Sequence, residues 1–107
     1  MKFTIEKTDF IKVLQRVQGI VEKRNTMPIL ANVLLDVSDG KINIMATDLE
    51  VFIKDSSPAK VSEDGSVTVN ARKLFEIAKE LPGEIIDISL GKDDKLTLKA
   101  GKARFSI

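Results

Sequence analysis

The chain opens on a strict alternation, Lys2 to Glu6, that puts Phe3 and Ile5 on one face and predicts a short strand. The period then changes. Phe10, Val13, Leu14, Val17 and Val21 recur at helical spacing, an apolar stripe for a helix of about three to four turns, with Thr8 or Asp9 placed to cap its start. Asn25 and Thr26-Met27-Pro28 end it, since proline cannot continue the hydrogen-bond ladder and disfavours helix just before itself. Val33 to Val37 and KINIMATD flank Ser38-Asp39-Gly40, a strong hairpin signal because both Asp and Gly tolerate positive φ. A further strand is predicted from Leu49 to Lys54, ended by Ser56-Ser57-Pro58.

The second half repeats the order. A strand at Val67 to Val69 leads to Asn70 as a cap. A helix follows from Ala71 to about Leu81, with Leu74, Ile77, Ala78 and Leu81 on one face, and Pro82-Gly83 stops it. Strands are predicted at EIIDISL, KLTLKA and ARFSI, parted by Gly91–Asp94 and by Gly101. The pattern is strand, helix, three strands, twice over, a pseudo-repeat in order and not in residue identity. It predicts an α+β class: two β-α-β-β-β units with two helices packed on antiparallel sheets. The span from Thr8 to Asp55, laid out again from Asn70, runs past Ile107, so the last strand is expected to be truncated.

With 107 residues, 43% of them hydrophobic and 31% charged, the chain fits one globular domain. It contains no cysteine and no histidine. Thiolate chemistry and disulfides are thereby excluded, along with the commonest general base and metal ligand. No apolar run is long enough to span a bilayer, and MKFTIEKTDF is not a signal peptide, so a cytoplasmic location is expected. All five aromatics are Phe, which suits a core better than a base-stacking platform.

The net charge is +1, which excludes a strongly basic nucleic-acid binder by composition but says nothing of distribution. Lys7, Lys12, Arg16, Lys23 and Arg24 stand against only Asp9 and Glu22 in the first helix and its exit. Arg72, Lys73 and Lys79 stand against Glu76 and Glu80 in the second, so the helices are basic and the rest of the chain acidic. Lys12, Arg16 and Lys23 share a face opposite the apolar stripe, as do Arg72, Glu76 and Lys79 on the second helix. Two readings follow: a solvated face laced by ion pairs such as Arg72–Glu76 and Glu76–Lys79, or a basic surface that holds phosphates without reading bases. Asp48 and Glu50, two apart, are a carboxylate pair for a cation or for an enzyme, but loop carboxylates of this kind are commonly just solvated. No phosphate-loop, nucleophile-elbow or metal-ligand spacing occurs, and no cofactor is expected.

MKFTIEK, RNTMPILANVLLDVSDGKINIMATDLE, VNARKLFEIAKELP and GKARFSI together resemble the first domain of the bacterial replicative sliding clamp, the beta subunit of DNA polymerase III. TMPILANVLL, ATDLE and NARKLFEI are the most specific segments, and the resemblance covers essentially the whole chain. It implies that residues 1–107 are the N-terminal domain of a clamp, incomplete at its C-terminal end. The implied function is that of a replication processivity factor without catalytic activity. Two subunits close into a homodimer ring around duplex DNA, gripping the backbone weakly and non-specifically and tethering the polymerase. Polymerase and clamp loader would be met only through other domains, and no membrane is involved. By the resemblance, Arg24 and Arg72 match residues that contact the DNA backbone; Lys12, Arg16, Lys23 and Lys79 join them from helix geometry. Lys73, Lys99, Lys102, Arg104, Phe105 and Ile107 fall in the region that matches the family's subunit boundary. The rival expectation is a stand-alone protein-interaction module that uses a sheet edge, its basic helices merely solvated.

Overall fold

The computed structural model describes residues 1–23, 32–47 and 52–107, the side chains of 20–23 and 47 excepted. Its elements in chain order are β1 (Lys2–Glu6), α1 (Lys7–Lys23), β2 (Asn32–Ser38), β3 (Lys41–Thr47), β4 (Phe52–Pro58), β5 (Lys60–Glu63), β6 (Gly65–Asn70), α2 (Ala71–Glu80), β7 (Ile85–Leu90), β8 (Leu96–Ala100) and β9 (Ala103–Ser106). The α+β class holds, and the repeated order holds but for one added strand, β5.

Two antiparallel sheets are built by exchange between the units. β1 joins the three later strands in the order β5-β1-β7-β8-β9, while β6 joins the three earlier ones in the order β4-β3-β2-β6. Pairs such as Ile5↔Ile86 and Val33↔Val69 hold the exchanged strands in register. A single core results, because Phe3, Ile5, Leu35, Ile44, Ile88 and Leu98 from the sheets meet Phe10, Val13, Leu14, Val17, Leu74 and Ala78 from the helices. Each of these side chains is essentially removed from water, worth roughly 1.5–3 kcal/mol apiece for the larger ones.

The turn chemistry is as the residues dictate. Asp39 and Gly40 both take positive φ, 51° and 72°, the left-handed pair that a two-residue hairpin between β2 and β3 requires. Asn70 caps α2: its side-chain oxygen accepts from the Lys73 backbone N–H at 2.9 Å, a contact that contributes about 1 kcal/mol.

Several boundaries differ from expectation. α1 begins at Lys7, ahead of both candidate caps, because the Lys7 N–H is met by the Glu84 carbonyl at 2.7 Å across the fold. β4 does not end at Lys54 but continues through Ser56-Ser57-Pro58. As the outer strand of its sheet, it tolerates a proline that lacks an N–H. β5 has no counterpart in the predicted pattern, so the first unit carries four strands after its helix where three were expected. It offers one apolar residue, Val61, opposite Phe3, and its polar neighbours give no alternation to read. β6 is also longer than Val67–Val69, beginning at Gly65.

Candidate nucleic-acid interface

α1 and α2 pack against each other. They run antiparallel, since Lys7 at the start of α1 reaches the end of α2, where its ammonium donates to the Leu81 carbonyl. A cation there meets the negative end of the helix dipole and one of its unpaired carbonyls. Nine residues further on, half a turn around the helix, Arg16 leaves the opposite flank of α1 toward β4. Its Nε donates to Asp55 Oδ2 at 2.5 Å. α1 is thus fastened on both flanks, to α2 by Lys7 and to β4 by Arg16.

The buried stripes of both helices face the common core, so their polar faces turn the same way, outward. Lys12, Arg16, Arg72 and Lys79 are all exposed on that side. Their partners differ. Arg72 pairs with Glu76 one turn on at 3.2 Å, both side chains more than half exposed; such a pair is worth a few tenths of a kcal/mol and yields readily to a competing anion. Lys79 lies 5.3 Å from the Phe75 ring centroid, and not on Glu76 as the helical spacing suggested. Lys12 forms no ion pair among the described residues. Arg24 lies outside the described residues, as do Asp48, Glu50 and the side chain of Lys23. Among the described residues no cluster of carboxylates suited to a metal ion occurs.

Asp55 was not legible as part of this surface. With β4 read as ending at Lys54, nothing placed Asp55 on the inward face that meets α1; the correct strand puts Ile53, Asp55 and Ser57 there together. The hydrogen bond from Arg16, aided by the Ser56 N–H, holds the Asp55 carboxyl below the ordinary carboxylate range, against the opposing pull of burial. A carboxyl depressed in the folded state adds stability above its unfolded pKa of about 3.9 and loses it as pH falls through the lower folded value. Denaturation followed from pH 5 downward should therefore show a shallower loss of stability in Asp55→Asn than in the parent chain.

The second candidate group lies around β9. Ile107 exchanges both backbone hydrogen bonds with Leu96, at 2.8 and 2.9 Å, so alternation turns the backbone N–H and C=O of Arg104 and Ser106 to the free edge. Among the described residues no strand covers that edge. Phe105 is 41% exposed beside it, and Ile107 is partly buried. Lys99 and Arg104 stand directly opposite each other on the outer face, like charges side by side, with Asp87 the acid across from Lys99. Lys102 sits in the β8–β9 turn and Lys73 on α2, about 100° round the helix from Arg72.

The domain, α+β with two exchanged antiparallel sheets and a pair of helices, shares its fold with solved DNA polymerase sliding clamps. It superposes on a solved structure of Caulobacter crescentus pol III beta with a TM-score of 0.86 and 40% identity, over 99% of this chain and 29% of that one. The family model for the DNA polymerase III beta subunit, N-terminal domain, matches residues 1–107, and the chain belongs to that family. A beta sliding clamp of Caulobacter vibrioides is 41% identical over 110 residues, and one of Pseudomonas aeruginosa 43% over 109. All of this chain aligns in both cases, but it spans only 29% of either relative.

Proposed function

We propose that the chain is part of a replication clamp and turns its helices to the DNA, in a homodimer ring that encircles the duplex and tethers the replicative polymerase. The observation that carries this reading is the common outward face of the two family-matched helices, with Lys12, Arg16, Arg72 and Lys79 upon it. Phosphate contacts by exposed lysine and arginine are strong in number and insensitive to sequence. Here they are few. Two of the cations carry an acid partner already, so the surface attracts a duplex without arresting it. Residence on DNA then comes from enclosure and not from affinity, and the chain has no reaction to catalyse. Arg24, by its match to the family, and Lys23, by its spacing along α1, are assigned to DNA contact in the same reading.

The β9 edge, with Lys73, Lys99, Lys102, Arg104, Phe105 and Ile107, is assigned to the boundary between subunits. Its free backbone groups suit an added strand, and the opposed Lys99 and Arg104 suit an acidic one. The stand-alone module has no comparable support, because the relatives are clamps throughout their match to this chain.

The test is topological. A chimera in which this chain replaces the matching segment of the Caulobacter vibrioides clamp, loaded on nicked circular DNA, should stay bound until the circle is linearised and then run off the ends. Equal retention on circular and linear DNA would refute enclosure.

A further inference from the structure

Among the outward cations of the described residues Arg16 is the most restrained. Its guanidinium is held by Asp55 at 2.5 Å, and the Asp55 side chain is only 28% exposed, against 59% for Glu76, the acid that pairs with Arg72. The carboxylate is itself fixed, because its other oxygen accepts from the Ser56 backbone N–H at 2.8 Å. Asp55 therefore has two hydrogen bonds that hold it on β4, whereas Glu76, more exposed and on the same helix face as its partner, has only the one to Arg72 among the described residues. Lys12, by contrast, lies one turn before Arg16 with no acid on it among the described residues. Their directions differ by about 40° around α1, with Arg16 turned toward β4 and away from α2.

We propose that Asp55 is a charge brake: it keeps Arg16 folded back on β4, withholding one phosphate contact from the helix surface so that DNA is held loosely enough to slide. The inference rests on the clamp reading and deepens it, naming the residue that sets the strength of the grip. It asks Asp55 to act through Arg16 alone. A second acid merely repelling the duplex would behave differently, and the two effects can be separated by combining substitutions.

The measurement is binding of the chain to a fluorescent duplex between 20 and 200 mM salt, reported as the slope of log K against log [salt]. Freeing one arginine adds one phosphate contact, which steepens the slope by about 0.9 and tightens binding on the order of tenfold near 50 mM salt. Asp55→Asn should show that change, Arg16→Gln should cost less than Arg72→Gln, and Arg16→Gln with Asp55→Asn should lose the gain and bind as Arg16→Gln does. Three results would overturn the proposal: a silent Asp55→Asn, a gain that survives Arg16→Gln, or an Arg16→Gln that weakens binding as much as Arg72→Gln does. Lys12→Gln with Arg72→Gln serves as the reference pair. A duplex indifferent to that pair defeats the clamp reading itself, whereas a duplex that responds to it and ignores Asp55→Asn defeats only the brake. Melting temperatures of all variants, measured alongside, identify any loss that comes from unfolding.

Discussion

Phe10→Ala should lower the unfolding free energy by about 3–5 kcal/mol, measured by urea titration with the slope held near that of the parent chain. Phe10 is fully enclosed between α1 and the sheets, and truncation leaves a cavity that α1 cannot collapse to fill. The helix is held at its start by the Lys7 contacts to Leu81 and Glu84 and further along by Arg16. Because a domain of this size has only about 5–15 kcal/mol in total, the loss takes a large share of its stability. It should also disturb the shared surface of the two helices, since Phe10 joins α1 to the core that both helices cover. A cost below about 1 kcal/mol, far short of the ordinary range for such truncations, would mean that α1 is not seated as described.

The second large effect is on DNA. Lys12→Glu combined with Arg72→Glu should abolish measurable binding to duplex DNA at about 50 mM salt and leave the melting temperature within a few degrees of the parent. Both side chains are exposed, and substitutions at such positions ordinarily change stability by no more than about 0.5 kcal/mol. The carboxylate introduced in place of Arg72 would face Glu76 at helical spacing, adding only a few tenths of a kcal/mol of repulsion. On DNA the cost is larger, because two phosphate contacts vanish and two like charges take their place. The parent chain itself is expected to bind no more tightly than about 10⁻⁴ M at physiological salt, in keeping with a surface that is only modestly basic. Binding that persists in the double variant would move the DNA to another face of the molecule.

Local chemistry was written plainly in the residues. Asp39-Gly40 announced its hairpin and Asn70 its cap, because each depends on a few neighbours and on nothing distant. The apolar stripes of α1 and α2 likewise announced which faces are buried and, by difference, which are basic. What stayed hidden depends on pairing between remote segments. Nothing in Phe3 or Ile5 declares Ile88 and Ile86 as partners in preference to the nearer Val33 or Leu35, since all are comparable apolar residues at strand spacing. β5 escapes the pattern for the same reason, its polar run being a strand only because β1 leaves an edge for it. At the candidate interface, the cations could be found one by one, but their restraint could not. Arg16 looked equivalent to Lys12 until β4 brought Asp55 across to it.

The exchange of first strands between the two units bears on how the molecule comes into being. During synthesis β1 emerges well before its long partner β7, which begins at Ile85. The early meander of β2, β3 and β4 is in the same position, waiting for β6. Neither half can therefore consolidate on its own, and maturation should be late, concerted and comparatively slow, as for other folds rich in distant contacts.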